Sequence, residues 1–329
     1  MTTLVTGATG HLGANLIRAL LGRGERVRVL VRRTSSLAAL DGLDVELAYG
    51  ELRDGASLRA AAKGCDRIYH LAAMVSLRRA DLQDLYDVNV LGTRKLLDAA
   101  RAEGVARVMH CSSFGAVGRN PNGASDERWT VNPFDTHLDY ECTKAFAEHE
   151  VLRAVLGGLD VVMVNPSGMV GPWDFAPSAF GQAVLDFANG RMKAYVEGSF
   201  AFVTMRDAVA GCLAAMERGR AGERYILSSD HHSLREILTW ISELSGAPAP
   251  RFAVPLGLMK VLAVVKDPVE ARFFPKNAPR FTAQTIRLLN SGKRADASRM
   301  PADLGVEPTS VRDALAEQIE WFRERGWIR

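Results

Sequence analysis

Through the first half of the chain, short apolar runs alternate with segments whose apolar residues recur every three to four positions. The two periods separate strands from amphipathic helices. Leu4 and Val5 form the first run, and Leu12, Leu16, Ile17, Leu20 and Leu21 then recur at helical spacing. Residues 26–31, 45–49, 67–71, 108–112 and 160–164 read as five further strands, and helical patterns at 57–62, 82–102 and 139–156 fall between them. Strands alternating with helices predict an α/β fold built on a doubly wound parallel sheet with right-handed crossovers. Ligands bind such sheets outside the carboxyl ends of the strands, so functional residues are expected just after each strand.

Beyond Pro166 the rhythm changes. Pro166, Pro172 and Pro177 interrupt the pattern before a helical stretch at 178–189. Residues 202–216 read as a short strand and a helix, and 224–228 as another strand. From Leu234 the pattern is mostly helical, down to a last helix at 311–325. These strands are too few for a second sheet domain. A Rossmann domain is therefore expected over 1–165, rejoined by 202–229, with 166–201 and 230–329 forming a smaller, mainly helical substrate-binding cap.

Composition narrows the picture only slightly. The chain of 329 residues is 47% hydrophobic and 24% charged, values ordinary for a soluble globular protein. A net charge of +3, with Lys and Arg dispersed among acids, favours neither nucleic acid nor a membrane surface. Cys65, Cys111, Cys142 and Cys212 include no C-x-x-C pair. That argues against a metal site and a disulfide framework, and for a reducing, cytoplasmic setting. The most apolar segment, 255–265, contains Lys260 and falls short of the roughly 18 to 20 residues of a spanning helix. A buried or substrate-side helix is expected there, without stable membrane insertion. Oligomeric state stays open, a homodimer included.

The candidate chemistry begins directly after the first strand, at Gly7, Gly10 and Gly13. Gly7 allows a tight turn, Gly10 lets backbone approach a pyrophosphate, and Gly13 lets the helix pack closely on the strand. Thr9, His11 and Leu12 complete the turn. Amides at the start of the helix then face the phosphates, aided by the helix dipole. At the end of the second strand, Arg32, Arg33 and Ser35 stand where an acid would accept from the ribose of NAD. Guanidinium groups instead bind a 2′-phosphate bidentately, so NADP(H) is expected ahead of NAD(H). A solvated basic turn is the plain alternative. After the third strand, Leu52 would flank the adenine and Glu51 would accept from its amino group. A helix start capped by Asp54 explains the same residues.

Tyr140 and Lys144 lie four residues apart in a helical stretch and so share a face. A phenol is a poor proton donor at neutral pH, and an ammonium one turn away favours the phenolate and lowers its pKa. Tyr140 could then protonate a carbonyl oxygen as hydride reaches its carbon, while Lys144 reaches the nicotinamide ribose. Ser112 and Ser113, at the end of the fifth strand, could orient that carbonyl, or simply cap a turn.

The glycines at 7, 10 and 13 are followed in order by His70–Ala73, Asn89 to Thr93, Ser112 and Ser113, Tyr140 with Lys144, and Gly171 with Pro172. In that combination the chain resembles the extended short-chain dehydrogenase/reductase family over nearly its whole length. The resemblance implies Tyr140 as proton donor and acceptor, Lys144 as its partner, and Asn89 as a helix-kinking residue near the proton relay. It favours Ser113 over Ser112 as the catalytic serine. It also implies that Leu71, Ala72 and Ala73 pass along the cofactor, and that Pro166, Gly168 and Met169 lie near the nicotinamide. Two departures matter. Glu51 stands where the family usually has aspartate. Asn165 and Gly168 hold the places of the arginine and asparagine in the R-x-F-N of nucleotide-sugar epimerases and dehydratases.

That second departure is similar to dihydroflavonol-reductase-like and hydroxysteroid-dehydrogenase-like members, and moves weight from sugar nucleotides to apolar ketones. Met74, Val75, Phe114, Trp173 and Phe175, with Phe180 and Tyr195, are the expected substrate side. Ordinary burial preferences would place about half of such residues in the core of the cap. The expected activity is reduction of a ketone, or oxidation of the matching secondary alcohol, on a largely apolar small molecule. One alternative is an epimerase or dehydratase with tightly held NAD. Another is a non-catalytic NADP(H)-sensing regulator, a reading that goes with loss of the Tyr–Lys pair, which is intact here.

Overall fold

The centre of the molecule is a parallel sheet whose middle strands are buried on both faces. The first six strands are β1 (Thr2–Thr6), β2 (Arg26–Val31), β3 (Val45–Tyr49), β4 (Arg67–His70), β5 (Arg107–Cys111) and β6 (Val161–Pro166). Three short strands follow, β7 (Gly168–Val170), β8 (Ala194–Val196) and β9 (Ser199–Thr204), then β10 (Arg224–Leu227), β11 (Asp230–Ser233) and β12 (Phe252–Val254). The seven-stranded sheet runs β10-β6-β5-β4-β1-β2-β3, every neighbouring pair parallel. This is the doubly wound sheet expected from the alternating pattern. The computed structural model describes residues 1–76, 78–132, 138–192, 194–250, 252–254 and 292–329; the apolar segment 255–265 lies outside them.

Helices α1 (His11–Gly22), α2 (Gly55–Ala62), α3 (Leu82–Leu85), α4 (Gly92–Ala102) and α5 (Asp139–Leu156) connect these strands. They are joined later by α6 (Ala179–Ala188), α7 (Met205–Arg218) and α8 (Leu234–Ser245). One face of the sheet packs α1 and α7 through Leu16, Ile17, Leu20, Cys212 and Met216. The other packs α2, α4 and α5 through Leu58, Leu96, Leu97 and Val151. Leu4 and Val5 are fully buried, one against each core. Parallel strands covered on both faces read as continuous apolar runs for this reason.

Strand order reverses between β1 and β4, the switch point at which a crevice opens. The backbone after β1 touches the backbone after β4 there: a Cβ on Gly7 would lie 2.6 Å from the Ala72 amide nitrogen.

Two features differ from the sequence expectation. The single helix expected over 82–102 is interrupted by a π-helical turn at Tyr86–Leu91. The chain beyond β6 also holds more strand than expected, in a sheet ordered β11-β9-β7 and a β12-β8 pair, so β9 pairs there rather than in the main sheet. Strands as short as the three residues of β7 and β8 carry too few positions for a period to emerge. A further apolar core joins Val184 and Phe187 of α6, Ile237 and Ile241 of α8, and Leu315, Ile319 and Phe322 of the C-terminal helix Val311–Glu324. Among the described residues no helix is long and apolar enough to cross a membrane.

Candidate active site

The glycine turn has the backbone its three glycines call for. Gly7 has φ +73°, and a Cβ on Gly13 would lie 2.2 Å from the Gly7 carbonyl oxygen, so neither position accepts another side chain. Gly10 caps α1 without any side-chain bond, which leaves the first amides of the helix free for a phosphate. Thr9 is partly buried and Gly10 exposed beside them. The cradle thus fits the pyrophosphate of a nicotinamide dinucleotide.

The side chains around it divide. Leu12 and Leu52 lie in the two sheet cores, so their side chains serve packing rather than a free face toward the nucleotide. His11, expected at the cofactor, turns its ring to the cap. Its Nε2 lies 3.0 Å from the carbonyl oxygens of Gly171 and Pro172. Asn15, one turn along, donates to the same Pro172 oxygen at 3.0 Å. Arg32 and Arg33 are exposed after β2, and Arg33 stacks 5.1 Å from the Tyr49 ring centre. Neither is in an ion pair among the described residues. The Ser35 amide donates to the Arg32 carbonyl at 3.0 Å and closes that turn. Glu51 is exposed, while Asp54 caps α2 by accepting from the Ala56 amide at 3.0 Å. Leu71, Ala72 and Ala73 continue from β4, and Pro166, Gly168 and Met169 mark the passage from β6 to β7.

The catalytic candidates meet where β5 ends and α5 begins. The Ser113 hydroxyl accepts from the Gly115 amide at 3.0 Å, capping the one-turn helix Phe114–Ala116. The Tyr140 phenol is its neighbour on α5. Ser112 instead donates to Glu148 Oε1 at 2.5 Å and is committed there. Of the two serines, Ser113 is the one beside the phenol. Lys144 is buried one turn beyond Tyr140 and donates from Nζ to the Cys111 carbonyl at 2.7 Å.

Electrostatics at this point differ from the expectation for Lys144. Burial pushes the Tyr140 phenol well above its ordinary pKa, with the nearby Cys111 and Glu141 adding to the rise and the Ser113 hydroxyl opposing it. Desolvation outweighs any help from an ammonium whose bond goes to the Cys111 carbonyl. Burial also lowers the Lys144 pKa, against the pull of Cys111 and Glu148. His70 and His110 lie beside it with ring centres 5.1 Å apart and planes tilted by 46°. Burial, then the Lys144 charge, lowers His70 to about 3 and His110 well below the usual imidazole range. His70 lies 2.8 Å from Thr6 Oγ1 and 3.0 Å from Thr93 Oγ1, two hydroxyls that suit a neutral ring.

Asn89 sits inside the π-helical turn and reaches two functional segments. Its Oδ1 accepts from the Met74 amide at 2.8 Å, and its Nδ2 donates to the Met74 carbonyl at 2.9 Å. The carboxamide therefore pairs with Met74 as a neighbouring strand would. Nδ2 also approaches Thr143 Oγ1 at 3.2 Å, and Thr143 donates to the Tyr140 carbonyl at 2.9 Å. One side chain thus ties the loop after β4 to the helix bearing Tyr140.

Three polar residues not expected from sequence lie behind Ser113. Asn165 Nδ2 donates to the Ser113 carbonyl at 2.9 Å and to Glu148 Oε1 at 2.6 Å. Arg224 pairs with Glu148 Oε2 at 2.7 Å and donates to the carbonyls of Glu127 and Trp129. The signal for Glu148 was present: it continues the face of Tyr140 and Lys144 by one more turn. Arg224 and Asn165 carried no comparable spacing.

Several expected substrate residues belong to packing instead. Phe114 is buried against Val117, Ala201 and Ile226. Trp173 and Phe175 lie with Trp321 in an aromatic cluster, ring centres 5.2 to 6.3 Å apart. The Arg18 guanidinium covers the Trp173 ring at 4.0 Å. Phe180 stacks on Phe202, and the Tyr195 hydroxyl meets Arg235. Loop aromatics next to an apolar helix face bury themselves more readily than they line a cleft. Met74 is half-buried, and Val75 is 69% exposed beside the Asn89 contact.

A serine beside a half-buried tyrosine, with a buried lysine one turn further and a glycine cradle at the switch point, defines a nicotinamide-dependent oxidoreductase of the short-chain type. Residues 3–228 match the family model described as the NAD dependent epimerase/dehydratase family. The chain belongs to that family, in its extended short-chain dehydrogenase/reductase form. It is 59% identical over 328 residues to sterol demethylase protein B of Methylococcus capsulatus, covering 100% of both chains. It is 37% identical to a putative dihydroflavonol 4-reductase of Synechocystis, covering 99% of this chain and 95% of that one. The crystal structure of gox2253 superposes with a TM-score of 0.87 at 36% identity, covering 100% and 99% of the two chains. Reductase or dehydrogenase chemistry with a nicotinamide cofactor is therefore the activity of this chain's family branch.

Proposed function

We propose that the protein interconverts a secondary alcohol and a ketone on a sterol-like, largely apolar substrate, with NADP(H) as its cofactor. The observation that carries this reading is the placement of the Ser113 hydroxyl and the Tyr140 phenol together, with buried Lys144 one turn further along α5. The bound nicotinamide supplies or accepts the hydride. In the reductive direction Tyr140 gives its proton to the carbonyl oxygen, and Ser113 donates a hydrogen bond to that oxygen. Lys144, held at the Cys111 carbonyl, places positive charge near the phenolate left behind. Oxidation runs the same transfers in reverse, with the phenolate taking the alcohol proton.

The likeness to sterol demethylase protein B supports a sterol-like substrate. Arg32 and Arg33, exposed after β2, support NADP(H) over NAD(H) by bidentate binding of the 2′-phosphate. Gly168 in place of the asparagine that meets a sugar nucleotide argues against the epimerase reading. Turnover of a panel of hydroxysteroids, ketosteroids and UDP-sugars with each cofactor tests all three statements. Steroid turnover driven by NADP(H) is the expected result. Turnover confined to a UDP-sugar would reverse the assignment.

A further inference from the structure

The catalytic serine is gripped from a part of the chain remote in sequence. The one-turn helix Phe114–Ala116 starts at Ser113, and its hydrogen bonds run from the Ala116 amide to Ser113 and from the Val117 amide to Phe114. Lys293, 179 residues after Phe114, enters this turn. Its Nζ donates to the Phe114 carbonyl at 2.7 Å and to the Val117 carbonyl at 2.5 Å. The same ammonium lies 4.3 Å from the centre of the Phe114 ring. Both ends of the turn are thus bonded to one cation.

The segment carrying Lys293 is itself anchored beside the site. The Ser125 amide donates to the Arg294 carbonyl at 2.8 Å, and the Asp296 amide returns a bond to the Ser125 carbonyl at 2.9 Å. On the other flank Asn165 holds the Ser113 carbonyl. The turn can therefore shift only if one of these two anchors yields.

We propose that Lys293 is a positioning residue for Ser113, through which the C-terminal segment sets the reactivity of the catalytic hydroxyl. The proposal rests on the reading of Ser113 and Tyr140 given above. Charge makes the brace strong, because hydrogen bonds from an ammonium are about twice as strong as neutral ones. It also makes the brace sensitive to pH. Burial lowers the Lys293 pKa to about 8, with Glu141 and Glu148 of α5 holding it up and Arg224 of β10 lowering it further. Loss of that proton removes the charge from both carbonyl contacts.

The test compares Lys293→Met and Lys293→Arg with wild type. For Lys293→Met we expect kcat to fall at least tenfold with cofactor Kd changed less than twofold. Lys293→Arg should recover most of that loss. In a Ser113→Ala background Lys293→Met should have less than a twofold further effect, which a general loss of stability would not reproduce. Amide hydrogen exchange across residues 113–117 needs no substrate and should speed up at least tenfold in Lys293→Met. Unchanged exchange there, or an equal loss of kcat with and without Ser113, would overturn the proposal. Faster exchange in a protein that turns over no alcohol or ketone would uphold the brace and count only against the catalytic reading.

Discussion

The Asn165 carboxamide donates at once to the Ser113 carbonyl and to the buried Glu148 carboxylate. Glu148 in turn carries the Ser112 hydroxyl and the Arg224 guanidinium. The backbone that presents the catalytic serine is thus fixed by a paired charge beneath it. Removing one partner of a buried ion pair leaves the other uncompensated, at about 3–5 kcal/mol. Glu148→Ala should lower the stability of the fold by about that amount, read from denaturant unfolding. Glu148→Gln keeps an acceptor for Asn165 and should cost clearly less. Equal unfolding midpoints for Glu148→Ala and wild type would remove the network from any account of stability.

Tyr140 is the group from which the proton moves. Tyr140→Phe keeps the ring and its packing but deletes the hydroxyl beside Ser113. Loss of a positioned acid or base costs about 10²- to 10⁴-fold in rate. Turnover should fall within that range while cofactor affinity, measured by fluorescence titration, changes by less than threefold. Wild-type turnover in Tyr140→Phe would end the assignment of this residue.

Much of this arrangement was legible in the sequence, and the reasons differ from element to element. β2 is a short alternating, β-branched run, β3 is a short stretch around Val45 and Leu47, and both occupy the expected residues. α5 spans Asp139–Leu156 as its pattern predicts, and the four-residue spacing of Tyr140 and Lys144 needs only that helix. The π-helical turn at Tyr86–Leu91 left no trace in the apolar period, which one extra residue in a turn barely shifts, and only the family resemblance pointed to a kink at Asn89. The bonds from Asn165 to Glu148 and from Arg224 to Glu148 span 17 and 76 residues. No local pattern links such positions. Trp173 and Phe175 misled for another reason: an aromatic in a loop has the same signature whether it lines a cleft or packs on Trp321.

Cofactor choice should depend on Arg32. It is exposed after β2, whereas Arg33 already stacks on Tyr49, which leaves Arg32 the freer of the two. A hydrogen bond to a charged group contributes about 1.5–3 kcal/mol, or about ten- to a hundredfold in affinity. Arg32→Ala should raise the Kd of NADPH by that factor and leave NADH within threefold. Equal weakening of both cofactors in a paired titration would show that Arg32 does not meet the 2′-phosphate.

The adjacent histidines make stability depend on pH in a definite direction. Burial and the Lys144 charge hold His70 at about 3 in the folded protein, against an ordinary value near 6.5 in the unfolded chain. His110 is lowered in the same sense. Below pH about 6.5 the unfolded chain therefore binds protons that the folded protein refuses, and stability falls as pH falls. Each site contributes a slope approaching 1.4 kcal/mol per pH unit, so the pair should cost about 2–3 kcal/mol between pH 6 and pH 5. Urea unfolding at both pH values measures this directly. Neither ring nitrogen of His110 has a hydrogen-bond partner among the described residues, so the imidazole suffers desolvation without a compensating bond. His110→Leu fills a similar space, deletes one titrating group, and should stabilise the fold at pH 5 more than at pH 7. His110→Leu with the wild-type dependence between pH 6 and pH 5 would show that this imidazole does not titrate on unfolding.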